Sequence, residues 1–221
     1  MKVKILIYSL FCSLFIIGCS EHSQPTITPV QPIATLISPS ATPAPTATSI
    51  PQNTGGLPNT VEINGSKVTF KERGFSVVLP SEKWQFEPSM YRKESDFEGF
   101  VFIRRPGFTD TDGQEFQPSM GILFYTIPED TDLITFSAIL RGNMGAGFPS
   151  IDRMFGYEGS EPVLKINGIG YYGMGQRYST YIIHTTKGGT GIQVSLEIAE
   201  SLLDQAKPEF YEIMQSLEFI Q

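Results

Sequence analysis

Nucleophile, base and metal chemistry draws on thiols, imidazoles and clustered carboxylates, and this chain holds only Cys12, Cys19, His22 and His184 of the first two kinds. No Gly-x-Ser-x-Gly elbow presents an activated serine. His184 stands in Tyr181-Ile182-Ile183-His184-Thr185, ahead of Gly188-Gly189. With no partner motif beside it, the pattern predicts a half-exposed strand histidine rather than a base or metal ligand. Gly168-Ile169-Gly170-Tyr171-Tyr172-Gly173 has the G-x-G-x-x-G spacing. That motif holds a pyrophosphate only when a helix N-terminus follows it. Here Met174 to Thr185 is rich in Tyr, Thr and Ile and reads as strand. Lys187-Gly188-Gly189-Thr190-Gly191 lacks the Walker order and reads as a hairpin turn. Asp110-Thr111-Asp112-Gly113-Gln114-Glu115 hints at calcium, but an EF-type loop wants an oxygen ligand and a glutamate where Phe108 and Ser119 stand. A polar turn is the expectation there. Arg92, Lys93, Glu94, Asp96 and Glu98 read as a solvated charged loop. Arg104-Arg105 offers two cations to an anion. No residue is assigned as catalytic, cofactor-binding or metal-ligating on these grounds.

The chain around these residues is 221 long, 40% hydrophobic and 18% charged, with a formal charge of −7. That composition fits a globular domain and argues against a highly charged disordered chain. The acidic balance speaks against a nucleic-acid partner, which needs a basic footprint. Residues 20–60 hold 8 Pro, 8 Thr and 5 Ser, no aromatic residue and one charged side chain, Glu21. All the aromatic residues except Tyr8, Phe11 and Phe15 lie in 61–221, so the core must form there.

Lys2 and Lys4 precede an uncharged, mostly apolar run from Ile5 to Ile17. Such a run is shorter than the about 20 residues that span a bilayer and fits the apolar centre of a secretory leader. It ends in Ile16-Ile17-Gly18-Cys19. This ending resembles the lipobox of bacterial lipoproteins: an aliphatic residue, a permissive one, a small one, then cysteine. The resemblance implies a signal peptide over 1–18, diacylglyceryl attachment to the Cys19 sulfur (the lipidation site), and cleavage between Gly18 and Cys19, with palmitate-type acylation of the new N-terminus. Two or three acyl chains anchor a protein stably where one does not. Cys12 would leave with the leader, and the loss of Lys2 and Lys4 takes the formal charge from −7 to −9.

From residue 19 to 60 the lipidated cysteine and a disordered Pro/Thr/Ser-rich linker are expected, because Pro removes backbone donors and Thr and Ser bury little. As a flexible coil it would separate its ends by about 35 Å, and fully extended by about 125 Å.

The elements that position the candidate residues follow in 61–221. Val61-Glu62-Ile63 and Lys67-Val68-Thr69-Phe70 flank Asn64-Gly65-Ser66, a tight-hairpin signature. Phe75 to Leu79 reads as a strand stopped by Pro80, and Gly99 to Ile103 and Gly121 to Ile127 as strands apolar on both faces. Asp130 or Asp132 caps a helix whose Leu133, Phe136 and Leu140 share a face, with Gly142 ending it. Residues 142–175 hold nine glycines and read as loop plus strand edges. Val163 to Ile166, Gln176 to Thr185 and Gly191 to Ile198 read as strands, the last with a strict period of two. A short turn over Ser201 to Ala206 and a helix with Pro208 at its first position close the domain, with Phe219-Ile220 as an edge segment. The class is α+β: a central antiparallel sheet with helices packed on it.

Gly74-Phe75-Ser76-Val77-Val78-Leu79-Pro80 with Trp84, and Pro208-Glu209-Phe210-Tyr211-Glu212-Ile213-Met214-Gln215-Ser216-Leu217, resemble the opening and the closing helix of PsbP-like domains. The resemblance spans about residues 70–220. It implies an α/β/α sandwich around a central antiparallel sheet. Its members include thylakoid-lumen accessory proteins, a Ran-binding transport factor and bacterial lipoproteins, and they share non-enzymatic binding. The metal and docking residues of the photosystem proteins have no counterpart here. The expectation is a lipoprotein held on the extracytoplasmic face of the cell membrane, not an enzyme and without a cofactor. It would serve as a binding or accessory protein for an envelope or membrane partner, with no nucleic-acid role. An envelope hydrolase or carbohydrate-active enzyme, and a small-ligand or calcium-binding module, are the alternatives.

Overall fold

Gly65-Ser66 joins Val61–Asn64 (β1) to Lys67–Phe70 (β2), with Asn64 paired to Lys67. The predicted hairpin forms, but its two-residue turn begins at Gly65 rather than Asn64. Gly65 has φ 59, and among the described residues only glycines have positive φ. The computed structural model describes residues 56–143, 150–155, 163–174 and 177–220. The expected leader over 1–18, Cys19, His22 and the linker as far as residue 55 lie outside the described residues. The folded body reaches back to Gly56, ahead of the expected boundary at 61. Leu57 packs against the core, and the Val61 and Lys71 N–H groups donate to the Pro58 and Thr60 carbonyls.

Among the described residues twelve further strands and two α-helices follow in chain order. They are Phe75–Val78 (β3), Trp84–Phe86 (β4), Arg92–Lys93 (β5), Phe97–Arg104 (β6), Phe108–Thr109 (β7), Glu115–Phe116 (β8), Ser119–Thr126 (β9), Leu133–Asn143 (α1), Ser150–Phe155 (β10), Gly168–Met174 (β11), Tyr178–Lys187 (β12), Thr190–Ala199 (β13), Leu203–Ser216 (α2) and Glu218–Phe219 (β14). Every pairing is antiparallel. The large sheet runs β10-β11-β12-β13-β9-β6-β4, with β5 beside β6; the smaller one runs β1-β2-β3-β14.

Alternation along these strands sends successive side chains to opposite faces. One face of the large sheet presents Phe100, Phe102, Met120, Ile122, Phe124, Ile183, Val194 and Leu196, all fully buried. The smaller sheet and α2 cover it. The Phe70 ring lies 4.9 Å from Phe100 and 5.0 Å from Phe124, and Phe210 of α2 lies 6.3 Å from Trp84 and 6.2 Å from Tyr181. The opposite face is covered by α1, whose Phe136 ring lies 5.8 Å from both Tyr125 and His184. The fold is therefore more sheet-rich than the expected α/β/α sandwich: α1 covers one face of the large sheet, and α2 shares the other face with the smaller sheet. The reason is Phe70, Phe75 and Val77, which bury a second sheet beside α2 on that face.

Four local expectations are corrected. Residues 165–167 are bends, so Val163 to Ile166 is not a strand. The glycine-rich 142–175 stretch supplies two full strands, β10 and β11, because the ladder with β12 holds Gly168, Gly170 and Gly173 in register. In β9 alternate residues are only partly buried, so one of its two faces is less fully covered than the apolar sequence suggests. Pro208 sits inside α2 instead of starting it. Burial of Ala206, Phe210, Ile213 and Met214 keeps the helix continuous through a residue that cannot donate to Asp204.

Gly191 forms the floor under α1: a Cβ there would fall within the Phe136 ring. Gly191→Ala should lower stability by about 1–3 kcal/mol through overpacking. Gly142→Ala, with nothing within 4 Å of its Cβ position, should be neutral or slightly stabilising by helix propensity. Urea midpoints of the two variants check the contrast.

Candidate functional site

Beneath α1 the structure assembles the chemistry-bearing group that His184 alone did not reveal. Asp132 caps the helix, its Oδ1 accepting from the Thr135 N–H at 2.7 Å, which selects Asp132 over Asp130 and sets the helix rotation. One turn on, Ser137 points at the sheet. Its Oγ lies 2.8 Å from His184 Nδ1 and 2.6 Å from the Tyr171 hydroxyl. On the far side of the ring, His184 Nε2 lies 3.2 Å from Gln193 Oε1, and β12 and β13 place His184 and Gln193 directly opposite each other.

The donors and acceptors order themselves into one chain. Gln193 Oε1 can only accept, so Nε2 carries the proton. Nδ1 then accepts from the Ser137 hydroxyl, which accepts from Tyr171. The Arg141 guanidinium lies 4.9 Å from the centre of the Tyr171 ring. His184 is 0% exposed rather than half-exposed, and Ser137 is equally buried. Burial, aided by the Arg141 charge and opposed by the Gln193 bond, pushes the imidazole down to about 4.

A serine 2.8 Å from an imidazole has the spacing of a nucleophile and its base. Three features turn the pair into a clamp. The Oγ is sealed from any substrate. The orienting group is an amide, which cannot stabilise an imidazolium as a carboxylate does. A base at about 4 takes protons poorly near neutrality. Ser137 was invisible to sequence reasoning because it is a lone serine 47 residues from its partner.

The other candidates do not converge on this site. Gly168 to Gly173 runs through β11 and meets no helix N-terminus, so the dinucleotide spacing is strand sequence. Gly188 and Gly189, with φ 51 and 71, form the β12–β13 turn. Asp110 Oδ1 accepts from the Asp112 and Gln114 N–H groups at 2.9 and 2.8 Å, and Glu115 Oε1 from the Gly107 N–H at 2.7 Å. These carboxylates shape the turn between β7 and β8. Among the described residues no three His, Cys, Asp or Glu side chains stand together as a metal site. Arg104 is buried and spent on Glu209 at 3.0 Å, which also accepts from Trp84 Nε1 at 2.7 Å; Arg105 is spent on Glu87 at 2.6 Å. The anion reading of the arginine pair therefore fails.

Glu98 departs most from the solvated-loop expectation. It is 2% exposed, and its carboxylate accepts from Arg73 at 3.0 Å, the Tyr91 hydroxyl at 3.0 Å and, at 3.5 Å, Lys93 Nζ. Burial, then the Glu98 bond, raises the Tyr91 hydroxyl to about 12. A shallow depression beside it, lined by Thr60, Phe70, Glu72, Arg73 and Glu98, encloses no room for a water molecule. Small-molecule pockets begin at about 300 Å³ of enclosed space, so this depression is not one. No described helix is long and apolar enough to cross a membrane.

No protein-family model matches the chain, and no curated protein matches it. Solved structures do. A Bacteroides thetaiotaomicron protein matches over 72% of this chain at 16% identity and a TM-score of 0.42; the match spans half of that protein's own length. The Ran-binding protein Mog1p of Saccharomyces cerevisiae matches over 72% of this chain and 97% of its own, at 11% identity and a TM-score of 0.44. The cyanobacterial PsbP of Synechocystis, CyanoP, matches over 75% and 96%, at 15% identity and a TM-score of 0.45.

The clamp makes a pH prediction. His184 titrates at about 4 in the fold against 6.5 in a model peptide. Below pH 6.5 the unfolded chain takes up a proton that the native imidazole refuses, so stability falls from about pH 6.5 to about 4 and levels off below. The full loss from this group is about 3 kcal/mol. Glu197, raised by burial, works in the opposite direction, so the measurement is a difference. Unfolding free energies of wild type minus His184→Asn should shrink by that amount between pH 7.5 and pH 4; a difference that stays constant would refute it.

Proposed function

We propose that this protein is an extracytoplasmic lipoprotein, anchored to the cell membrane through Cys19, whose PsbP-like folded body acts as a non-enzymatic binding or accessory module for an envelope or membrane partner. The observation that carries the non-enzymatic part is the fate of the Ser137–His184 pair. The described contact closest to a nucleophile and its base lies under a helix, and its polar atoms are spent on one another. The anchoring part rests on Ile16-Ile17-Gly18-Cys19 behind a short apolar run. A tether of this length would hold the body within about 35 Å of the bilayer on average, concentrating it for partners there.

Cys19→Ser should abolish lipid labelling and release the full chain from the membrane fraction. Retention of the unlabelled variant would defeat the anchor. A fluorophosphonate serine probe should leave the native protein unmodified, whereas a Ser137 adduct found by mass spectrometry would favour the hydrolase alternative. Crosslinking in native membranes followed by affinity capture tests for the partner.

A further inference from the structure

The face of the large sheet that carries His184 and Gln193 runs on past the histidine network. Alternation puts Tyr178 and Thr180 of β12, Ser195 and Glu197 of β13, and Ser119 and Gly121 of β9 on that same face. The register sets Glu197 between Thr180 on one side and Ser119 on the other, with Ser195 opposite Gly121 one step back. Glu197 stands about 13 Å along the strand from Gln193. Ser119, Gly121, Ser195 and Glu197 are all partly exposed, so solvent reaches this stretch of the sheet.

Glu197 differs from the other shielded carboxylates. Glu98 has Arg73, Tyr91 and Lys93, and Glu209 has Arg104 and Trp84. Among the described residues no cation and no hydrogen-bond donor serves Glu197, and burial alone acts on its carboxyl, raising it. A shielded carboxylate without a partner costs free energy that no described contact offsets, and uncompensated groups of this kind gather at functional sites. Tyr178 is the second sign. It is 47% exposed, although the seven residues that follow it in β12 are all buried. Its register partner is Ala199, so the ring and the Glu197 carboxylate are diagonal neighbours on one face, about 7 Å apart at the backbone. An aromatic face and a carboxylate attract the same ligand, a cation.

We propose that this stretch of the sheet is a docking notch for a lysine side chain of a partner protein, with Glu197 as counter-ion to its ammonium group and the Tyr178 ring against its alkyl stem. The choice of lysine follows from the acceptors. Thr180, Glu197 and Ser119 offer oxygens from three adjacent strands, which suits the divergent donors of an ammonium better than the coplanar fork of a guanidinium. The flanking side chains are short, and a Cβ at Gly121 would already meet the Ser195 Oγ at 2.8 Å, so the notch suits an unbranched stem. The formal charge of −7 favours the approach of a basic surface. The inference deepens the binding role proposed above and rests on that reading for the partner's location.

The test is zero-length crosslinking of the full chain in native membranes with a water-soluble carbodiimide, which joins a carboxylate to an amine in contact with it. The expected product is an amide between Glu197 and a lysine of another protein, mapped by mass spectrometry. Glu197→Gln should abolish it. Tyr178→Ala should lower its yield about threefold, the loss of one exposed cation–π contact. Ser119→Lys supplies a cation opposite Glu197 from within the chain. It should block the product and raise the urea midpoint, since opposite charges directly across a ladder stabilise it. An intermolecular amide undiminished by Ser119→Lys and Tyr178→Ala shows proximity without recognition and overturns the proposal. An adduct to a lipid amine, or to a second copy of this chain, names a different occupant and overturns it too. Membrane-bound protein with no Glu197 adduct overturns the notch and leaves the anchor standing, whereas protein in the soluble fraction overturns the anchor. Trilysine and carbodiimide on the purified full chain measure the site without the anchor: Glu197 should be amidated about fivefold faster than the exposed Glu129, and equal rates overturn the notch.

Discussion

The large sheet has two faces to keep from water, and everything else is arranged by that constraint. Its β6, β9 and β13 present large apolar side chains to one side, and Phe70 is the residue that closes this side. It reaches from β2 into the angle between Phe100 and Phe124, at 4.9 and 5.0 Å, in the offset and edge geometries that aromatic rings favour. Phe75 and Phe219 continue the seam at 5.7 Å, so β14 is paired to β3 and packed at once. The chain's final residues thereby complete the layer that its first described residues begin. The ion pair of Lys67 with Glu218 spans the same two ends at the surface, but solvent screens it, and the rings do most of the holding.

The opposite face is covered differently. There α1 lies over Gly191 so closely that the ring of Phe136 takes the place of a side chain. Next to this dry contact sits the Tyr171–Ser137–His184–Gln193 chain. Buried polar groups in a medium of low dielectric are costly unless each finds a partner. Here each one does, and the cost becomes a constraint: α1 cannot slide or turn without breaking several bonds together. The network thus fixes the register of the helix, which Phe136 and Leu140 alone would leave loose. Trp84, Arg104 and Glu209 do the same for α2.

How much of this was legible in the sequence depended on whether the cause was local. The period of two in β13, the Gly188-Gly189 turn and the Leu133–Phe136–Leu140 spacing are local signals, and the elements form where they indicate. The Asp110 turn was legible too, since its carboxylate serves its own next residues. The failures have a common cause in partners far along the chain. Gly168 to Gly173 carries no strand signal; neighbours on both sides impose one. Pro208 is a helix breaker by itself, overruled by four buried residues of its own helix. Glu98 looks like part of a solvated loop until Arg73 and Tyr91 arrive from other elements. Ser137 shows nothing by type or spacing, and the one histidine in the folded body gave no direction in which to search for its partner.

The two helices make the final comparison. Both cover a face of the same sheet, and both bury one side. On α2 the outer side carries Asp204, Lys207, Glu212 and Gln215, the ordinary polar dress of a surface helix. On α1 the corresponding positions are Ile134, Thr135, Ala138 and Ile139. The composition of the chain, with its excess of acids, does not account for the difference, and neither does the core, which is satisfied by the inward residues in each case. Exposed isoleucines cost solubility and add nothing to the packing beneath them. The order of charges at the ends of α1, Asp132 as its cap and Arg141 in its last turn, is the one that complements the helix dipole. Arg141 lies over the Tyr171 ring as well, so the charges at both ends serve α1 and the buried network beneath it.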